Sequence, residues 1–217
     1  MPKLQTSCTL AATDGMVVNT QSAIAAERAR YDFEYIFTDN HSMDSTFAAV
    51  AEIAATDKQV RAYRFSRNFG YQRSIWTGYV KARGAAAVQL DVDLQDPPEM
   101  IPDFIREWEA GYRLVMAVKP VSKSSPVMHF LRRSYYRFID QITDVDIIKD
   151  STGFGLYDRV VLDKLRVIAD PYPFLRGLIC ELGYEVKTIP FVQPRRLGGI
   201  TKNNFYTLFD IAMLGIV

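Results

Sequence analysis

Gln89-Leu90-Asp91-Val92-Asp93-Leu94-Gln95-Asp96-Pro97-Pro98-Glu99 decides how the chain is read. An apolar run over 85–90 leads into it and reads as a buried strand. Alternate residues of an extended chain share a face, so Asp91 and Asp93 point the same way at that strand's end. Pro97 and Pro98 cannot continue a central strand, and proline suits the first turn of a helix. Ile101, Phe104, Ile105 and Trp108 then give residues 99–110 helical apolar spacing. Paired carboxylates therefore sit at a strand-to-helix turn, at the carboxyl end of a buried strand. Open α/β sheets bind ligands at that end. Two hard oxygen anions there suit a divalent cation able to hold a diphosphate. A solvated acidic turn accounts for Asp-x-Asp alone, but the Gln95 and Pro-Pro-Glu continuation favours the functional reading.

Outward from this stretch, strands and helices alternate. Residues 4–10 suggest a short strand diluted by Thr, Ser and Gln, and 17–30 has helical spacing. A strand at 35–37 ends at Thr38-Asp39. Asn40-His41-Ser42-Met43-Asp44 is turn-rich, and Asp44 is placed to cap a helix through Phe47, Val50 and Ile53. A strand over 60–65, a loop at Ser66-Arg67-Asn68-Phe69-Gly70 and a helix over 71–83 follow, with Gly84 placed as a C-terminal cap. This alternation predicts an α/β fold, a mostly parallel sheet with helices on both faces. Further on, 114–118 reads as a strand, 126–142 as a basic, aromatic helix, and 147–154 as an irregular link. Helices over 160–168 and 174–182, a strand over 185–192 and a loop over 195–204 complete the pattern.

The length of 217 residues fits one domain, with 48% apolar and 24% charged residues. A net charge of +1 gives no bulk attraction to nucleic acid. Cys8 and Cys180 have neither metal nor disulfide-framework spacing, and a reducing, cytosolic setting fits them. The first residues lack the pattern of a signal peptide, and no stretch reaches the roughly 18–20 apolar residues of a membrane span. Residues 205–217 are largely apolar and stop abruptly, as if cut short before something more hydrophobic.

Four further constellations stand out. Asp39 ends a strand as Asp91 does, so the two can converge on one crevice. Asp39 either accepts hydrogen bonds from a nucleobase or ribose or merely starts an Asx-turn, and spacing leaves both open. The 66–70 loop can line the same crevice, with Gly70 allowing close backbone approach, or simply lead into a helix. Lys119, Lys123, Arg132, Arg133 and Arg137 surround Phe130, Leu131, Tyr135, Tyr136 and Phe138. That mixture suits an anionic head on an apolar body, a membrane surface or RNA stacking, and equally a solvated basic helix face. Arg195-Arg196-Leu197-Gly198-Gly199-Ile200-Thr201-Lys202 is a basic glycine-containing loop before a helix, a place that favours phosphate. No Walker loop, dinucleotide glycine fingerprint or nucleophile elbow is present, which counts against an ATPase, a dehydrogenase and a hydrolase.

Together these pieces resemble the family 2 glycosyltransferases of the GT-A, Rossmann-like fold. The branch they look most like is that of bacterial polyprenyl-phosphate (bactoprenol) glycosyltransferases, relatives of dolichol-phosphate mannose synthase. Asp39-Asn40-His41-Ser42-Met43-Asp44 is similar to the family's Asp-Asp-Gly-Ser-Thr-Asp element. The 66–70 and 91–99 motifs match almost letter for letter. Thr152-Gly153-Phe154-Gly155-Leu156-Tyr157 and the segment from Arg196 through Tyr206 resemble later motifs.

The resemblance implies an inverting transfer from a nucleotide-sugar to a polyprenyl phosphate, for cell-surface polysaccharide or lipid modification. UDP-glucose is the first donor, with UDP-GlcNAc, other UDP-sugars or GDP-mannose behind it. Asp39 would contact the nucleoside. Asp91 and Asp93, with Gln95, would hold Mg²⁺ or Mn²⁺ and the donor diphosphate. Arg196 and Lys202 would neutralise the diphosphate, and Lys119 and Arg133 would hold the acceptor phosphate. Residues 1–193 would form the catalytic domain. Residues 194–217 would form a basic loop and the start of a membrane-proximal helix that usually continues into the membrane. The setting implied is the cytoplasmic face of the bacterial inner membrane, without nucleic acid, and a homo-oligomer is left open. Departures from the pattern fall at 10–12, where the family's Asn and Glu are absent, at Asn40 and His41, at Gly153 and Gly155, and at Leu197-Gly198. The first of these keeps open a degenerate homologue that binds a nucleotide or membrane without catalysis.

Overall fold

The computed structural model describes residues 3–9, 23–91, 95–119, 148, 151–168, 170 and 173–194, the first span as backbone only. The helix expected over 126–142 and the loop and helix expected beyond Pro194 lie outside these residues. The described strands are β1 (Lys3–Thr9), β2 (Asp32–Asp39), β3 (Val60–Arg64), β4 (Ala86–Asp91), β5 (Leu114–Val118), β6 (Ser151–Asp158) and β7 (Val186–Pro190). The helices are α1 (Thr46–Thr56), α2 (Tyr71–Lys81), α3 (Ile101–Glu109), α4 (Arg159–Ile168) and α5 (Leu175–Glu181).

All seven strands form one sheet in the order β3-β2-β1-β4-β6-β5-β7. β1 pairs in parallel with both β2 and β4, β2 with β3, and β5 with β7, whereas β6 runs antiparallel to β4 and β5. The chain builds outward from β1 to β2 and β3, then resumes on the other side of β1 at β4. The gap between the carboxyl ends of β1 and β4 is therefore the sheet's switch point, where doubly wound folds hold ligands.

Each strand divides its side chains between two apolar layers, as the period of two requires. Phe33, Tyr35 and Phe37 of β2 join Val88 and Leu90 of β4 in one layer, covered by Val50 of α1 and by Ile101, Phe104 and Ile105 of α3. Ile36 and Ala87 face the other way, against Ile75 and Tyr79 of α2, Val161, Leu162 and Leu165 of α4, and Ile179 of α5. The expected α/β architecture with helices on both faces is thus observed. By alternation, Gln89 and Asp91 share the α2 side of β4 with Ala87.

Several local expectations are corrected. Of the helix expected over 17–30, residues 17–22 lie outside the described ones; Ala23 is helical, a turn follows, and Glu27–Ala29 forms a single turn of 3₁₀ helix, so the helix does not run unbroken to Arg30. α1 starts at Thr46 with Ser45 in the cap position, and Asp44 instead accepts a 3.0 Å bond from the Thr46 amide. Gly84 does not end α2. The helix stops at Lys81 with Ala82 extended, and Arg159 donates to the carbonyls of Ala82 (3.1 Å) and Gly84 (2.7 Å).

The second half of the stretch expected as an irregular link, Ser151 to Phe154, belongs to strand β6. Glycine hid it: Phe154 and Leu156 mark one face, but the other carries Gly153 and Gly155 before Tyr157. A Cβ on Gly155 would lie 2.3 Å from the Val115 carbonyl oxygen, so the backbones of β6 and β5 approach as only glycine allows.

Asp158 closes β6 and is buried. Its carboxylate accepts from Trp108 Nε1 (2.6 Å), Arg113 Nη1 (3.0 Å) and the Val160 amide (2.9 Å), joining α3, the start of β5 and the first turn of α4. Asp158→Ala removes a helix-terminus acceptor and leaves the indole unpaired, an expected loss of about 3 kcal/mol. Urea denaturation measures it, and a loss below about 1 kcal/mol would make the network dispensable.

Candidate active site

Asp39 and Asp91 end β2 and β4 at the same edge of the sheet, with β1 between them. Two strand spacings put their backbones roughly 10 Å apart across the switch point. Asp39 is buried, and its Oδ1 accepts from the Ser42 amide at 3.0 Å. Its Oδ2 accepts no hydrogen bond from the described residues and has Arg64 Nε 3.4 Å away. The local turn therefore uses one oxygen only. The other is a buried acceptor that a ligand N–H or O–H can satisfy.

The turn after Asp39 is tied to the 66–70 loop. Asn40 donates to Asn68 Oδ1 at 2.8 Å and accepts from the Phe69 amide at 2.8 Å, and Asn68 Oδ1 also accepts from the Gly70 amide at 2.9 Å. His41 has φ of 66° and lies with Nδ1 3.1 Å from the Phe65 carbonyl, while Arg64 Nη2 donates to the Ser42 carbonyl at 2.8 Å. Gly70 is needed for its φ of 91° rather than for close approach, since a Cβ there would meet nothing within 4 Å. Phe69 packs edge-on to Phe65 and carries the Arg67 guanidinium 4.6 Å from its ring centre.

Asp91 meets α2 directly. The Tyr71 hydroxyl lies 2.9 and 3.1 Å from its two carboxylate oxygens, and the Asp91 amide donates to Asp96 Oδ2 at 2.9 Å. Behind Tyr71 runs a polar chain. Gln89 Nε2 donates to the Tyr71 hydroxyl at 3.2 Å, and Tyr79 donates to Gln89 Oε1 at 2.7 Å. The Tyr157 ring lies 4.9 Å from that of Tyr79, tilted by 50°, and its hydroxyl donates to the Gly153 carbonyl at 2.7 Å. Loss of water and then the charge of Asp91 push the Tyr71 phenol well above its ordinary range. Burial raises Tyr79 likewise and pushes Tyr157 up to about 12. All three therefore keep their protons at neutral pH and act as donors.

The turn after β4 brings in one more segment. Gln95 Nε2 donates to the Pro194 carbonyl at 3.3 Å, which ties the segment after β7 to the stretch after β4. Lys119 is half-buried just beyond β5. Asp93, Arg133, Arg196 and Lys202 lie outside the described residues, and among those described no three His, Cys, Asp or Glu side chains cluster as metal ligands. What is described suits a hard divalent cation: a carboxylate whose Tyr71 partner is neutral and leaves its charge in place, at the ligand-binding edge of the sheet.

Sequence reasoning singled out the two aspartates but not Tyr71, Gln89, Asp96 or the Asn40–Asn68 pair, which the structure places around them. Gln89 had a legible mark, a lone amide inside an apolar strand, which must find buried partners. Tyr71 had none, because its role depends on where α2 lies against β4.

Comparison with known proteins places this arrangement. The family model described as Glycosyl transferase family 2 matches residues 17–166. An uncharacterized glycosyltransferase of Bacillus subtilis (strain 168), YkcC, is 34% identical over 88% of this chain and 59% of its own length. The bactoprenol glucosyl transferase of Shigella phage SfV is 30% identical over 86% of this chain and 61% of its own. The chain thus spans about three fifths of the length of these curated relatives. Among solved structures, the mannosyltransferase PcManGT from Pyrobaculum calidifontis, in complex with GDP-Man and Mn²⁺, superposes with a TM-score of 0.56 at 18% identity. That match covers 87% of this chain and 55% of that one, and it bears on the fold, which is GT-A.

Proposed function

Because this chain belongs to glycosyltransferase family 2, we propose that it transfers a sugar from a nucleotide-sugar to a polyprenyl phosphate, with UDP-glucose as the first donor. One observation carries the reading: Asp39, with a buried oxygen that accepts no hydrogen bond from the described residues, and Asp91, whose carboxylate accepts from the Tyr71 hydroxyl, flank the switch point of a family 2 fold. The relatives named for bactoprenol and glucose support acceptor and sugar at 30% identity. The solved structure with GDP-Man is more distant in sequence.

In this reading Asp39 accepts from the nucleobase or ribose. Asp91, Asp93 and Gln95 would hold Mg²⁺ or Mn²⁺ with the donor diphosphate, where such a cation would supply charge stabilisation to the leaving group. Arg196 and Lys202 face the diphosphate from the other side, an assignment supported by the Gln95–Pro194 contact. Lys119 and Arg133 receive the acceptor phosphate. Its oxygen attacks the anomeric carbon, the bond from that carbon to the diphosphate oxygen breaks, and nucleoside diphosphate leaves with inversion. A phosphate monoester has a second pKa near about 6, so this nucleophile is already an anion at neutral pH. A general base is dispensable, and Gly153 and Gly155 in place of charged groups are compatible with turnover. The work left to the protein is positioning and stabilising charge. Among the described residues no helix is long and apolar enough to cross a membrane. We place the chain at the cytoplasmic face of the bacterial inner membrane, with 194–217 toward the lipid.

A thermal-shift panel of UDP, GDP, UDP-glucose and GDP-mannose, each with and without Mn²⁺, tests this. Stabilisation by one nucleotide, dependent on the metal, is expected. At about 100 times the dissociation constant it amounts to about 2.7 kcal/mol. A flat panel would favour the non-catalytic homologue, with residues 10–12 as the first place to look.

A further inference from the structure

Tyr71 opens α2 at the crevice, and 42% of its surface is exposed, yet its hydroxyl is committed on two sides. A phenol has one proton to give and lone pairs to receive. The proton goes to the Asp91 carboxylate at 2.9 and 3.1 Å, and a lone pair receives Gln89 Nε2 at 3.2 Å. Gln89 is buried, and the Tyr79 hydroxyl takes its Oε1 at 2.7 Å, which turns Nε2 toward Tyr71. Gly153 leaves room for that amide, since a Cβ there would come within 3.0 Å of Gln89 Nε2. Side chains from α2 and β4, with backbone from β6, thus fix the direction of a single O–H. That O–H ends on the carboxylate at the switch point.

We infer that Tyr71 is a positioning residue for Asp91: through Gln89 and Tyr79, its hydroxyl holds the carboxylate in one orientation for the metal–diphosphate unit of the donor. The inference rests on the donor-site reading above. Groups that orient a metal-binding carboxylate typically change metal affinity by 10–100-fold when removed. Tyr71→Phe keeps the ring and its packing and removes only the bond to Asp91 and the acceptor for Gln89.

The test is a Mn²⁺ titration of the whole chain at saturating UDP, or at saturating GDP if the panel selects it. Binding is followed by the paramagnetic signal of free Mn²⁺, with the ligand-free melting temperature measured alongside. Tyr71→Phe is expected to raise the half-saturating Mn²⁺ concentration by about 10-fold with little change in melting temperature. Tyr79→Phe, which touches nothing in the crevice, is expected to move it the same way by less. An unchanged midpoint in Tyr71→Phe overturns the inference alone, since a purely structural tyrosine would alter melting and not metal affinity. A wild-type chain that takes up no Mn²⁺ with either nucleotide overturns the donor-site reading, and the inference falls with it.

Discussion

Asp91→Asn is expected to reduce sugar transfer at least about a hundredfold while the fold persists. Asparagine keeps the shape of the side chain and an oxygen for the Tyr71 hydroxyl, so the contact that closes α2 onto β4 survives. What goes is the negative charge at the carboxyl end of β4, which the proposed mechanism needs to retain the cation. Backbone pairing is untouched, because the Asp91 amide bonds to Asp96 whatever its own side chain. Transfer of labelled glucose to undecaprenyl phosphate, read beside the melting temperature, separates the two effects. Asp93→Ala is expected to abolish transfer in the same assay. Wild-type turnover in either variant would remove the carboxylate pair from the mechanism.

Gly155→Ala is expected to destabilise the sheet as strongly as Asp158→Ala does the network around α3 and α4. The added methyl would sit 2.3 Å from the Val115 carbonyl oxygen and 3.0 Å from the Met116 Cα, both backbone atoms in the middle of the sheet. No rotamer change relieves such a clash, so β5 and β6 must separate. We expect a loss of about 3 kcal/mol, which for a chain of this length lowers the melting temperature by roughly 6–12 °C. Thermal melts followed by circular dichroism measure it. A shift under about 2 °C would mean that the two strands part at little cost.

The alternation of strands and helices was legible because β2 and β4 carry short apolar runs bounded by turn-rich sequence and α3 and α4 show apolar residues at helical spacing. So was the placing of Asp39 and Asp91, since both follow apolar runs into turn-rich sequence. β6 was not legible: a strand recognised by its side chains disappears when glycine occupies the positions where backbones crowd. Its antiparallel direction was equally hidden, because direction is set by which strand accepts it as a neighbour. Gly84 misled for a related reason. A glycine after a helix suggests a left-handed cap, yet here arginine side chains from α4 satisfy the exposed carbonyls. Tyr71 shows the limit at the site. Local sequence specifies a tyrosine at the start of a helix, and only the packing of that helix against β4 turns it into a partner for a carboxylate.

The central position of β1 bears on how the molecule comes into being. Lys3 pairs with Asp32 and Leu4 with Ala86, so β1, synthesised before its partners, completes both its ladders only after β4 has been made. Until then β2 and β3 can pair with each other, but no edge exists along which Asp39 and Asp91 face one gap. Closing so long a loop costs entropy before any contact rewards it, which makes this pairing a late and slow event. The crevice is therefore absent from a nascent chain shorter than β4. Its appearance coincides with the docking of the N-terminal strand, so cotranslational nucleotide binding would report that step.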